Sequence, residues 1–206
     1  MTAPPAADRP ADDGLSRCDW ASGLRGVGAE LYRDYHDREW GRPVRDGTAL
    51  FERMSLEAFQ SGLSWLTILR KRENFRRAFD GFRVASVAGF TAADVQRLLA
   101  DPGIVRNRAK IAATIHNARL VAALDSPAQL AELLWSFAPP PGRRRPVTHA
   151  EIPARTAEST AMATELRRRG FRFVGPTTAY ALMQATGMVD DHLRDCWVPP
   201  QRCRSH

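Results

Sequence analysis

Long apolar runs, cysteine, lysine and β-type alternation are all scarce in this chain, and each shortage removes a class of protein. No stretch of about 18 apolar residues occurs, so no segment reads as a membrane span. The only cysteines are Cys18, Cys196 and Cys203, and no apolar leader segment is present. That excludes a disulfide-stapled secreted scaffold and points to a reducing, cytoplasmic setting, where thiolate ligation is a better use for cysteine. Cys203, in a Pro-rich tail, reads as a leftover thiol. Sustained apolar–polar alternation is missing, which argues against an extended β-sheet. Among 30 Lys plus Arg residues only Lys71 and Lys110 are lysine.

What is present is positive charge and helical periodicity. Against 23 Asp plus Glu, the basic residues leave a formal net charge of +7, which favours a polyanionic partner, nucleic acid first, and says nothing about fold. The 206 residues suffice for a real core, as one domain or two closely packed lobes. Residues 1–14 are Ala, Pro and Asp without periodicity and are expected to be a disordered tail, with order beginning near Arg17. Residues 15–198 read as the folded unit and 199–206 as a second tail.

Apolar residues at 50, 51, 54 and 58 predict a helix with Asp46 as its cap. After Gly62 the pattern resumes through Trp65, Ile68, Leu69, Phe75 and Phe79, with Arg70-Lys71-Arg72 as a solvated basic face. Thr91 opens another helix with Asp94 at N3, and Asp101-Pro102-Gly103 ends it. Helices are expected from Asn107 to about Leu124, from Pro127 to about Phe137 with Trp135 packed in the core, and from Ser159 to Arg169. Residues 138–153 read as a connecting loop. Gly170 stops the last of these helices, and another begins at Thr177 behind Pro176. The fold class is all-α.

Two constellations stand out. Cys18, His36, His192 and Cys196 form a complete ligand set for a closed tetrahedral zinc site that would join the N- and C-terminal segments. Taken alone, the His192/Cys196 spacing also arises by chance on one helical face. The turn Gly170-Phe171-Arg172-Phe173-Val174-Gly175 between two helices is either an ordinary connection with Phe171, Phe173 and Val174 in the core, or a backbone-amide site for phosphate.

The segments Arg17-Cys18-Asp19-Trp20, 35–41 (Tyr35 to Gly41), Leu56-Glu57 with Gly62-Leu63-Ser64-Trp65, Lys71-Arg72-Glu73-Asn74, 169–175 and Asp191-His192 closely resemble the DNA-3-methyladenine glycosylase I family of the helix-hairpin-helix superfamily. The resemblance runs in order over about residues 17–198. It implies a helix-hairpin-helix glycosylase fold, one structural Zn2+ on Cys18, His36, His192 and Cys196, and excision of N3-methyladenine from alkylated double-stranded DNA by a monomer.

Carried onto this sequence, the family's pattern makes Glu57 the pocket carboxylate, with Tyr35 and Trp65 as base-contacting aromatics. Trp20 and Trp40 are expected in the same cavity, and Gln60 as a polar contact. Alkylation at N3 makes adenine a cation and a good leaving group, so the protein must chiefly extrude and hold it. Leu63 is a candidate wedge, and Gly170, Val174, Gly175 and Thr177 are candidate DNA contacts. Superfamily members that cut the backbone carry a lysine on the hairpin; here Gly175-Pro176-Thr177-Thr178-Ala179 has none, which implies a monofunctional enzyme in which water takes the sugar. Asp190, where this family commonly has asparagine, either stabilises the sugar cation or is neutral. A non-catalytic zinc-stapled DNA-binding module is the alternative, and the aromatic-carboxylate set disfavours it.

Overall fold

A computed structural model describes residues 13–140 and 142–200. All but the last two residues of the expected tail 1–14, and Cys203, lie outside that range. Among the described residues there are ten α-helices, two short 3-10 turns and no strand. None of the helices is long and apolar enough to cross a membrane.

The chain opens with the single turn α1 (Asp19–Ser22) and α2 (Ala29–Arg38), followed by α3 (Gly47–Gln60) and α4 (Trp65–Ala78). Then come α5 (Val84–Ala88), α6 (Ala92–Ala100), α7 (Arg108–Ala122), α8 (Pro127–Trp135), α9 (Ala157–Arg168) and α10 (Pro176–Ala185). Local chemistry sets most of these ends. Asp46 accepts from Ala49 N at 2.8 Å, Ser64 from Thr67 N at 3.3 Å and Asn107 from Lys110 N at 3.1 Å, each satisfying an orphan amide of a first turn. Thr91 and Asp94 form the expected capping box. At the far end of α9, Gly170 sits at φ 92°, Phe171 N reaches Leu166 O and Gly170 N reaches Arg167 O, both at 2.9 Å. This is a Schellman stop that needs the left-handed residue glycine supplies.

Helix α3 packs on α4, α7, α8 and α10, while α9 and α10 lie against each other as a pair. Its buried face joins one apolar cluster whose centre is Phe51, Phe59, Phe75, Phe79 and Phe82, all fully buried. Phe82 holds a left-handed φ of 55°, and its ring stacks on Phe79 at 5.3 Å, so packing sustains a backbone state that L-residues avoid. Trp135 packs against this core from its margin, donates to Val44 O at 2.8 Å and carries the Arg45 guanidinium 4.0 Å over its ring.

The basic run on α4 corrects the expectation of a solvated face. Arg70 donates to Val27 O, Lys71 Nζ to Pro102 O at 2.9 Å and to Gly103 O at 3.3 Å, and Arg72 grips both oxygens of Glu39 at 2.6 and 2.8 Å. Glu39 also receives Arg53 at 2.6 Å. Each cation finds an acceptor supplied by a distant segment, which periodicity within one helix cannot disclose. In the link between α9 and α10, Phe171 and Val174 are buried, whereas Phe173 is 39% exposed and takes φ 57°.

Candidate functional site

Between α2, α3, α4 and α10 lies a cavity of about 280 Å3, lined by Trp20, Tyr32, Tyr35, Trp40, Glu57, Gln60, Trp65, His149, Ile152, Ala181 and Gln184. Its volume sits near the lower end of the roughly 300–1,000 Å3 of small-molecule sites. All six of the expected pocket residues, Glu57, Tyr35, Trp65, Trp40, Trp20 and Gln60, are brought together here. Tyr35 and Trp65 rings lie 5.2 Å apart at 44°, Trp20 meets Trp40 edge-on at 5.1 Å, and Tyr32 meets Trp20 edge-on at 5.0 Å. The wall therefore gathers several aromatic rings around one volume, and a ring face turned to it attracts a cation.

Glu57 is 5% exposed, and among the described residues no group hydrogen-bonds to its carboxyl. Burial pushes its pKa up to about 8, with the charge of Arg53 pulling the other way. The Tyr35 phenol is raised too, by burial first and then by Glu57. Trp65 Nε1 is a buried donor with no acceptor. An unpaired acid in one small cavity is costly without a polar guest.

Five lining residues were not anticipated from the sequence: Tyr32, His149, Ile152, Ala181 and Gln184. Tyr32 stands one turn before His36 on α2, and helical spacing gives a signal for it. His149 and Ile152 come from the α8–α9 connection, and nothing local marks them.

Asp190 stands elsewhere. It is absent from the cavity wall and lies along a separate groove with Arg45, Trp135, Arg143 and Arg145. Its Oδ2 accepts from Arg145 Nε at 2.9 Å and its Oδ1 from His192 N at 3.3 Å. Both oxygens have partners, one of them in the last described segment. Leu63, 41% exposed, projects from the loop between α3 and α4. That loop is anchored from beneath by Lys110 on α7, whose Nζ donates to Phe59 O at 2.8 Å and Ser61 O at 2.5 Å. Gly170, Val174, Gly175 and Thr177 all fall in or beside the α9–α10 link; Thr177 is exposed, and Gly175, at φ −73°, needs no glycine for its backbone angle.

Beside the aromatic wall, Cys18, His36, His192 and Cys196 converge, all buried, with their ligand atoms within 4.8 Å of one another. Cys18 Sγ lies 3.7 Å from His192 Nδ1, and Cys196 Sγ lies 3.6 Å from both His36 Nε2 and His192 Nδ1. A tetrahedron with bonds of about 2.0–2.3 Å separates its corners by about 3.3–3.8 Å, and these three separations fall in that range. The outer nitrogens agree. His36 Nδ1 meets Asp37 Oδ1 at 2.7 Å and His192 Nε2 meets Trp40 O at 3.2 Å, leaving the inward nitrogen of each ring free to ligate. Leu193 N donates to Cys18 Sγ at 3.2 Å, and Arg17 and Trp197 Nε1 hold Asp37 in turn. The group is able to bind a metal ion, and it ties α1 and α2 to the last described segment.

A family profile described as methyladenine glycosylase matches residues 26–199. The chain is 43% identical to the DNA-3-methyladenine glycosylase 1 of Escherichia coli (strain K12), over 90% of this chain and 98% of that protein. It is 40% identical to the DNA-3-methyladenine glycosylase of Haemophilus influenzae, over 88% and 96% respectively. A crystal structure of a 3-methyladenine DNA glycosylase I superposes with a TM-score of 0.83 at 43% identity, covering 90% of this chain and all of that one. With the helical frame, the aromatic cavity and the profile agreeing over most of its length, the chain belongs to the methyladenine glycosylase family.

Proposed function

We propose that this protein is a base-excision DNA glycosylase that removes N3-methyladenine from alkylated duplex DNA, as its relatives' names describe for them. The observation that carries the reading is Glu57, a buried and unpaired carboxyl set against Tyr35 and Trp65. A cationic purine entering this slot stabilises the ionised form of Glu57, and Glu57 in return offsets the positive charge; unmodified adenine brings no charge and leaves the carboxyl's burial uncompensated. Binding energy is thus spent on the damaged base, whose bond to the sugar is already weakened.

The remaining parts follow. Helices α9 and α10 with residues 169–175 serve as the helix-hairpin-helix, and the free amides of Thr177 and Thr178 at the start of α10 face a phosphate without reading sequence. Gly170, Val174 and Gly175 shape that turn. Leu63 fills the gap left by the extruded nucleotide. Trp20, Trp40 and Gln60 complete the pocket. The reaction is monofunctional: water takes the sugar, and Asp190 stays outside the chemistry. Cys18, His36, His192 and Cys196 would hold one zinc ion, which would supply a rigid cross-link and no activated water, because four protein ligands close the site. The protein works as a cytoplasmic monomer.

The test is direct. Purified protein is incubated with methylated DNA and the released bases are separated by chromatography, alongside Glu57→Gln and Trp65→Ala. Release of 3-methyladenine by the wild type, and at least about tenfold less by each variant, is expected. No release, or equal release by all three, removes the proposed site.

A further inference from the structure

Gln184 reaches the cavity from the last turn of α10, and its side chain is not free to turn. Its Nε2 donates to Asp191 Oδ2 at 2.9 Å. A carboxylate oxygen accepts and does not donate, so this contact fixes which end of the carboxamide is which. Tyr180, one turn earlier on the same helix, donates its hydroxyl to the same oxygen at 2.5 Å. Burial first, and then that hydrogen bond, push the Tyr180 phenol up to about 12, so it remains a donor. Arg143 completes the brace: Nη1 donates to Tyr180 Oη at 3.3 Å, and Nη2 stands 3.6 Å from Asp191 Oδ1, an otherwise unpartnered buried oxygen. Asp191 is 1% exposed. Among the described residues no group donates to Gln184 Oε1, while Gln184 itself lines the cavity with Glu57.

We propose that Gln184 is a specificity-determining residue of the base cavity: Asp191 holds its amide so that only the carbonyl oxygen is offered to the base, which accepts a purine bearing an exocyclic amine at C6 and refuses one bearing an oxo group there.

The need for such a residue comes from Glu57. Until a cationic purine ionises it, a carboxyl raised to about 8 is able to donate as well as accept near neutrality, so on first encounter it meets an amine or an oxo group alike. Gln184 has no such freedom. Turning its amide to offer Nε2 would set Oε1 against Asp191 Oδ2, acceptor to acceptor, and leave a buried carboxylate short of a donor. An exocyclic amine has two hydrogens, enough to serve Glu57 and Gln184 together. A 6-oxo purine leaves Oε1 facing another acceptor. Asp191, Tyr180 and Arg143 are positioning residues; none lines the cavity.

This inference rests on the glycosylase reading, and the experiment separates the two failures. DNA carrying both 3-methyladenine and 3-methylguanine is incubated with wild type, Gln184→Met and Asp191→Asn, and the ratio of kcat/KM for the two bases is measured. The wild type is expected to favour 3-methyladenine by at least about tenfold. Gln184→Met, which fills the space without an acceptor, is expected to reduce that preference at least about fivefold while still releasing 3-methyladenine. Asp191→Asn, which frees the amide to turn, is expected to shift the ratio the same way. Because Asp191 adjoins a candidate metal ligand, its variant is read only if circular dichroism matches the wild type; Gln184→Met decides the matter alone. A wild type that releases neither base defeats the glycosylase reading. A wild type without preference, or a Gln184→Met ratio within twofold of wild type, overturns the role of Gln184 and leaves the activity standing.

Discussion

Trp65 Nε1 is buried without an acceptor while its ring lies 5.2 Å from that of Tyr35, so the same side chain that walls the cavity carries an unmet hydrogen-bond donor. An orphaned buried donor costs about 1–3 kcal/mol. Trp65→Phe removes the donor and keeps most of the wall. Thermal unfolding of the free protein is expected to stay within about 2 °C of wild type or to rise, while 3-methyladenine release falls at least about fivefold. A large loss of stability with unchanged release would show that the indole serves packing alone.

Glu57 sets a pH dependence whose sign is fixed. Its folded pKa, near 8, lies above the ordinary carboxyl value, so the folded state keeps its proton where the unfolded chain has lost it. The contribution is fully present below about pH 4.5 and is lost as pH rises to about 8. Denaturant unfolding at pH 5.5 and pH 8.5 is expected to show wild type losing more stability across that window than Glu57→Gln. Parallel pH profiles for the two proteins would contradict a buried, unpaired Glu57.

Removal of the metal should loosen the junction of the two chain ends without touching the base pocket's chemistry. The purified protein is expected to contain one equivalent of zinc by elemental analysis. Stripping it, or Cys196→Ser, is expected to lower the unfolding midpoint by at least about 5 °C. Metal-free protein that unfolds like the wild type would deny the cluster a structural part.

Asp190→Asn keeps one of the two acceptor oxygens that meet Arg145 Nε and His192 N, and the residue stands apart from the cavity. Single-turnover excision within about twofold of wild type is expected. A drop of a hundredfold or more would return Asp190 to the mechanism.

Lys71 and Lys110 both donate to main-chain carbonyls, and burial lowers the Lys110 ammonium from its ordinary range. Neither is free to attack a sugar. Borohydride treatment during turnover is expected to trap no covalent protein–DNA adduct; a trapped adduct would mean a lyase step.

Helix starts and stops were readable because their chemistry is local. Asp46, Thr91 with Asp94, Asn107 and Gly170 each satisfy or release backbone groups within four residues of themselves, and the structure uses all of them as the sequence suggests. The cavity was readable only through family resemblance, since Trp20 and Gln184 stand at opposite ends of the chain. Gln184 was missed for a further reason. Its part depends on which end of an amide Asp191 holds, and no spacing rule encodes that.

The misread basic run teaches the same point from the other side. Arg70, Lys71 and Arg72 occupy what periodicity marks as an outer face, yet their acceptors are Val27, the carbonyls of Pro102 and Gly103, and Glu39. Long cationic side chains reach across several ångströms to neighbours that only folding supplies.

By its sequence alone this protein was committed to an all-helical frame, to four soft ligands at its two ends and to a lysine-poor, strongly basic character, because propensity, capping and composition act over a few residues or over none. Tertiary structure decided that the ligands meet within 4.8 Å, that Glu57 is buried without a partner, that Asp190 is diverted to Arg145 and that Asp191 aims Gln184. Those outcomes depend on burial and on hydrogen-bond geometry between segments far apart in the chain, and both come into being only when the helices pack.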